Sequence, residues 1–248
     1  MRSISLTRVM FLLLSVASAL IALPAHAATP GSAPARILVF TKTAKFRHDS
    51  IPDAVRTVRQ LGRELGLQVD HTEDATRFDA RLSARYRAVV FAQTTGDVLD
   101  AAQQAALEDF IRAGGGYLGI HAAADTEYDW PWYGQLVGAW FKSHPPGLQH
   151  ARIQLLQAPD APAWYVTDEL YQYRAAPPAE VTVLAQLVER DDDDASDTPA
   201  PIAWCRPFDG GRSWYTGLGH EAALYRDPRY LEQLRNGLRF VAGTRDLC

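Results

Sequence analysis

Residues 36–41 read Arg36-Ile37-Leu38-Val39-Phe40-Thr41, and this run decides the class of fold. Four apolar residues follow one another without polar alternation. A strand with only one covered face would alternate, so this one is covered on both faces, the pattern of a parallel sheet. Helical spacing comes next, with Ile51, Ala54, Val55, Val58, Leu61 and Leu65 on one face. Ser50, Pro52 and Asp53 mark the start of that helix and Gly66 its end. Residues 67–71 read as a second strand and 86–92 as a third. Residues 100–113 read as a helix stopped by Gly114-Gly115-Gly116, and 117–121 as a fourth strand. This alternation predicts an open, mainly parallel sheet in which 37–40, 89–91 and 118–120 are buried neighbours.

Farther along, the pattern changes. Residues 151–157, 181–189, 202–207 and 213–217 are strand-like with turns between them, and Phe208-Asp209-Gly210-Gly211 is a hairpin signal. An antiparallel extension of the parallel sheet follows. Residues 227–242 close the chain as an amphipathic helix with Tyr230, Leu231, Leu234, Leu238 and Val241 facing inward. Residues 190–200 (RDDDDASDTPA) lack the ligand spacing of a calcium loop and read as a solvated hairpin tip. No internal repeat is visible.

The N-terminus is of a different kind. Arg2 and Arg8 precede an apolar run from Val9 to Leu23, which is broken by Pro24, and Ala25-His26-Ala27 has the small-x-small form of a cleavage site. Residues 1–27 are therefore expected to be a signal peptide. Residues 28–35 (ATPGSAPA) would be a flexible leader, and 36–248 a single α/β domain with a periplasmic or secreted destination. Loss of Arg2 and Arg8 leaves 23 basic against 29 acidic side chains, a net charge of −6. A chain of that sign, with no basic stripe in its sequence, has no electrostatic basis for nucleic-acid binding. With the leader gone, no apolar span remains to hold a membrane. There are two cysteines. An oxidising compartment would permit a disulfide, but Cys205 sits in an apolar run and reads as a buried thiol, with Cys248 a fraying end.

Polar residues cluster where open α/β sheets bind ligands, beyond the carboxyl ends of the strands. The first strand runs into Lys45-Phe46-Arg47-His48-Asp49, the fourth ends at His121 followed by Asp125, and the last runs into Leu218-Gly219-His220. Imidazole exchanges protons near neutral pH and binds divalent metals, so His48, His121 and His220 are the candidate catalytic groups. Glu169 is a carboxylate that could orient them or help hold a metal such as zinc. Lys45, Arg47, Asp125 and His144 are candidate substrate contacts. So are Trp130, Trp132 and Tyr133, whose flat rings suit the C–H face of a pyranose. Trp130 or Trp132 is expected at the cleft wall. His71 carries no motif and reads as structural.

Several of these stretches also carry a resemblance. Lys45-Phe46-Arg47-His48-Asp49-Ser50-Ile51-Pro52, Gly114 to His121, the aromatic stretch Tyr128 to Phe141, Phe141-Lys142-Ser143-His144-Pro145, Thr167-Asp168-Glu169-Leu170-Tyr171, Pro201 to Cys205 and Gly210 to His220 occur in order. Together they resemble the trehalose-utilisation (ThuA-like) family. The resemblance implies a flavodoxin-like fold of the class I glutamine-amidotransferase type. It also implies sugar metabolism, with a role on oxidised (3-keto) glycosides. The strand-to-helix elbow that carries a cysteine nucleophile in such amidotransferases here reads Gly119-Ile120-His121-Ala122-Ala123, which excludes thiolate chemistry there. Where the family often has His-Pro after the strand at 151–157, this chain has Ala158-Pro159-Asp160, leaving Asp160 or His150 to compensate.

Two classes of function fit. One is an enzyme using histidine acid/base or metal-assisted chemistry on a small sugar, as a hydrolase, lyase or isomerase. The other is a non-catalytic sugar-binding or accessory protein of the same pathway. Oligomeric state is left open by the sequence.

Overall fold

The computed structural model describes residues 34–190, 199–246 and 248; the expected signal peptide, most of the leader and most of the acidic turn lie outside them. Eleven strands and five α-helices follow in order: β1 Arg36–Phe40, α1 Ile51–Glu64, β2 Gln68–Thr72, α2 Leu82–Arg85, β3 Ala88–Ala92, α3 Ala101–Arg112, β4 Gly116–Ile120, α4 Pro131–Val137, β5 Phe141–Ser143, β6 Gln149–Leu155, β7 Trp164–Asp168, β8 Gln172–Tyr173, β9 Thr182–Arg190, β10 Ala200–Phe208, β11 Gly211–Thr216 and α5 Pro228–Val241. Nine strands form one sheet in the order β2-β1-β3-β4-β11-β10-β9-β6-β7. The first five are parallel and the remaining four add antiparallel to the β11 side. This is the mixed α/β architecture expected, with its parallel core and antiparallel extension. β5 and β8 make a separate two-stranded pair.

The unbroken apolar runs have a direct cause. In β1, Ile37 and Val39 enter one core layer while Leu38 and Phe40 enter the other. β3 divides likewise, with Val90 on one face and Val89 and Phe91 on the opposite face. α1 and α5 cover the first face; α2, α3 and α4 cover the second. α1 is strongly amphipathic and turns Ile51, Ala54, Val55, Val58 and Leu61 inward. Close packing explains Gly116 at the start of β4: a β-carbon there would lie 2.0 Å from the carbonyl oxygen of Val241 at the end of α5.

Three features depart from the sequence reading. β7 was not expected; its buried residues alternate along Trp164, Val166 and Asp168, the period of a strand with one covered face. The aromatic stretch contains α4, opened by Pro131 in the first turn and ended by Gly138 in the left-handed region. Cys205 and Cys248 form a disulfide, with α-carbons 6.1 Å apart, so neither is a free thiol. The reason is geometric. Cys205 on β10 belongs to the core layer covered by α5, and the tail after α5 brings Cys248 back against that layer.

Candidate active site

His48, His121, Glu169 and His220 meet at the carboxyl ends of the central strands. Each offers a ligand atom, and the four atoms lie within 4.8 Å of one another. The imidazole centroids are separated by 4.9 Å (His48–His121), 5.2 Å (His48–His220) and 5.4 Å (His121–His220). Glu169 Oε2 is 3.3 Å from both His121 Nε2 and His220 Nδ1. His144 Nε2 lies 3.1 Å from the other carboxylate oxygen, Oε1. The fourfold convergence comes from loops after β1, β4, β7 and β11, and His144 arrives from the loop after β5.

Local structure aims each group. His121 directly follows β4 with φ 49°, a left-handed turn that swings its ring off the strand end. Its Nδ1 lies 2.8 Å from the carbonyl oxygen of Gly217. A carbonyl only accepts, so Nδ1 carries the proton and Nε2 presents a lone pair to the cluster. The Tyr171 ring packs against the imidazole, centroids 4.2 Å apart, and fixes its tilt. The His220 loop is held on every side. The buried Asp168 carboxylate accepts from the backbone N–H of Gly219 and of Glu221, both at 2.8 Å. Tyr225 and Gln93 donate to the Gly219 carbonyl, Tyr230 to that of Leu218, and Ser50 to that of His220. Gly219 has φ 128°, a conformation that glycine adopts without strain. Two consecutive carboxylates thus divide the work: Asp168 clamps the backbone around His220, and Glu169 faces its ring.

The electrostatics fit a cation better than a bare polar core. His48 is 5% exposed and His121 is fully buried. Burial, then the neighbouring His121 and His220, push His48 down to about 3, so its ring is neutral and able to coordinate. Burial pushes Glu169 up, but the imidazoles of His121 and His220, each 3.3 Å from its Oε2, outweigh that and hold the carboxyl well below the usual range. Glu169 in turn raises His220. Buried nitrogens His48 Nδ1, His121 Nε2 and His220 Nδ1 have no hydrogen-bond partner. Orphaned buried polar atoms are costly, and three aimed at one point beside a carboxylate are the donor set of a divalent metal site.

Around this centre the expected residues separate into two groups. His144 joins Glu169, and Asp125 accepts a hydrogen bond from the Tyr128 hydroxyl at 2.6 Å. Lys45 lies over the Tyr128 ring, 5.2 Å from its centroid, with the Arg174 guanidinium at 3.9 Å. The others lie elsewhere. Arg47 turns away to pair with Glu73 at 2.7 Å. Trp132 donates to Asp209, in the hairpin before β11, and so sits at the opposite end of the sheet. Trp130 stacks on Trp132 and donates to Glu108 of α3, while Tyr133 is fully buried against Tyr117 and Ala123. α4 explains this: helical spacing puts Tyr133, Leu136 and Val137 on the sheet and carries the indoles away from the strand ends. His150 stacks on Tyr165 and takes no part, and Asp160 is exposed, so neither compensates for a missing histidine.

Four residues at or near the cluster were not among the candidates for the site. Phe46 is 64% exposed and edge-on to His48 with centroids 4.8 Å apart, an aromatic ring open to solvent beside the cluster. Tyr171, Asp168 and Arg174 are the others. Phe46, Asp168 and Tyr171 lie inside quoted motifs, so the signal available was an exposed aromatic or paired carboxylate beside a candidate histidine. Arg174 carried none.

Among curated proteins, none matches this sequence. Among solved structures, a ThuA-like protein from Bacteroides uniformis superposes with a TM-score of 0.68 at 20% identity, covering 86% of this chain and 94% of that one. A ThuA-like protein from Parabacteroides merdae gives 0.67 at 18% identity, covering 86% and 91%. A β-galactosidase from Bacillus circulans sp. alkalophilus gives 0.54 at 14% identity, with 84% of this chain aligned to 31% of that one. At these identities the likeness is one of fold. The family described as trehalose utilisation matches residues 36–241, and with that match the chain belongs to the ThuA family.

Proposed function

We propose that this chain is an exported, metal-dependent enzyme of carbohydrate metabolism that acts on oxidised (3-keto) glycosides. The observation that carries the reading is the convergence of His48, His121, Glu169 and His220, with three buried nitrogens that no other protein group satisfies. Family membership supports the carbohydrate role. The Cys205–Cys248 disulfide suits an oxidising compartment.

His48, His121, Glu169 and His220 would hold a divalent cation such as zinc, which when bound would supply Lewis-acid polarisation of the ketone. The protein supplies the rest. His48, His121, His220 and ionised Glu169 fix the position of the reacting carbonyl. His144, on the outer oxygen of Glu169 and a third exposed, takes the proton from the carbon beside the ketone. The electron pair released moves toward the ketone and then expels the glycosidic oxygen at the next carbon, which receives the proton. Water adds to the resulting double bond to complete hydrolysis. Phe46 lies under the apolar face of the sugar ring, and Asp125 and Lys45 bind its hydroxyl groups.

The test is incubation of the mature protein with native and 3-keto disaccharides, with product analysis, metal content and N-terminal sequencing on one sample. The expected result is cleavage of the keto form, bound divalent metal and an N-terminus at or near Ala28. His121→Ala should lose metal and turnover; His71→Ala should keep both. Sugar binding without products, in metal-loaded protein, would make this a binding protein instead.

A further inference from the structure

A concave site lies between α1 and the edge strand β2. Arg47, Arg56, Arg59, Arg63, His71 and Glu73 give it its charge, and its volume is about 430 Å³. The sequence builds this groove from one helix face. Arg56, Arg59 and Arg63 stand at i, i+3 and i+7 of α1, so their guanidinium groups lie on one stripe. Such a stripe repels itself and gives the helix no support. Two of the four guanidinium groups are neutralised: Arg56 pairs with Asp53 at 2.6 Å and Arg47 with Glu73 at 2.7 Å. Arg59 and Arg63 have no ion-pair or hydrogen-bond partner among the described residues. His71 stands at the groove's floor with Nε2 held at 2.7 Å by the Thr41 hydroxyl. Its proton affinity is lowered by burial and then by Arg59, with Arg47 adding to the effect, which places guanidinium charge close to the ring.

An acidic chain has therefore gathered uncompensated positive charge in one concavity, none of whose lining residues belongs to the histidine–carboxylate cluster. We infer that this groove binds a tetrahedral oxyanion, as a phosphate or sulfate ester carried by a sugar. The shape and chemistry agree. Planar guanidinium forks match two oxygens of such a group at once, and the volume admits a monosaccharide ester. Arg47 of the groove and His48 of the cluster are neighbours on the one loop that joins β1 to α1. The inference is independent of the reaction proposed for that cleft.

Calorimetric titration of the full chain in low salt decides it, with glucose 6-phosphate, glucose 6-sulfate and glucose as probes. The two esters bind and glucose does not compete; which ester is tighter identifies the oxyanion. Arg59→Gln/Arg63→Gln, at exposed helix positions that glutamine suits, weakens ester binding at least about tenfold, as expected for loss of charge-assisted contacts. His121→Ala and chelator treatment leave it unchanged, separating the groove from the metal cleft. Ester binding that survives the double substitution, that disappears on chelation, or that is absent altogether overturns the inference.

Discussion

His121 stores a conflict between backbone and chemistry. Its φ of 49° is uncommon for a side chain with a β-carbon and costs on the order of 1 kcal/mol or more. The ring is worth that cost because it is the one that turns from the Gly217 carbonyl to the cluster. Two substitutions separate these effects. His121→Gly and His121→Ala should both lose metal and turnover, yet the glycine variant should be more stable by about 1 kcal/mol in urea unfolding. Equal stability would show that the turn is unstrained. His48 gives a pH signature. Folding keeps it neutral down to about 3, whereas the unfolded chain takes up a proton near 6.5. Stability from neutral His48 is therefore complete above that upper value and lost progressively as pH falls toward the lower one. Glu169, held low, adds to the loss in acid; His220, held high, opposes it, contributing at low pH and fading as pH rises through its raised value. In chelator-treated protein, His48→Gln should flatten the acid-side fall of Tm. A fall of undiminished steepness would place the acid sensitivity elsewhere.

At the scale of elements, β7 and its continuation do two jobs through neighbouring carboxylates. Asp168 makes no hydrogen bond to a ring of the cluster among the described residues but clamps the backbone around His220 through two N–H groups. Asp168→Ala should weaken metal binding by one to two orders of magnitude while Glu169 and all three imidazoles remain, the usual scale for such supporting contacts. Asp168→Glu, which keeps the carboxylate, should recover part of it; metal titration followed by fluorescence reads both. Equal loss in the two variants would mean that the strand itself had failed. α4 makes the opposite case. Trp132 lies at the far end of the sheet, so Trp132→Phe should leave kcat and KM of keto-disaccharide cleavage unchanged. Phe46→Ala, beside the cluster, should raise KM with kcat preserved. If Trp132→Phe changes KM instead, the cleft extends much farther than the histidine cluster. The legibility of each element follows its physics. β1, β3 and β4 were readable because two-sided burial leaves unbroken apolar runs. α4 and β7 were not, since Pro131 and Gly134 resemble loop residues and the alternation of β7 is only five residues long. Histidines after strand ends were readable because fold class fixes where strand ends point. The side to which a helical aromatic faces depends on helix phase, so the placement of Trp132 away from the strand ends was not legible, and Phe46, in the loop after β1, carried no pattern at all.

For the whole molecule, the disulfide closes a 43-residue separation and ties the last residue to β10. Chain-entropy arithmetic for a loop of that size gives about 4 kcal/mol of stabilisation, delivered by restricting the unfolded chain. Reduction should lower the unfolding midpoint accordingly and leave the histidine–carboxylate cluster, built at the strand ends, able to bind the proposed metal. Unchanged stability on reduction would mean that the bond is a bystander. Its pairing could not be read from the sequence, because what brings Cys248 to Cys205 is the return of the tail over a core layer that only the folded sheet defines.

The order of strands carries one more consequence, in time rather than space. β11 is the last strand to be synthesised, yet it occupies the middle of the sheet between β4 and β10. Until it inserts, the parallel half and the antiparallel extension share no edge, and His220 has no position. A nascent chain thus holds His48, His121 and Glu169 as scattered side chains of an unfinished sheet. Acquisition of the proposed metal would then be the closing act of folding, taken with the ions of whichever compartment the finished chain folds in.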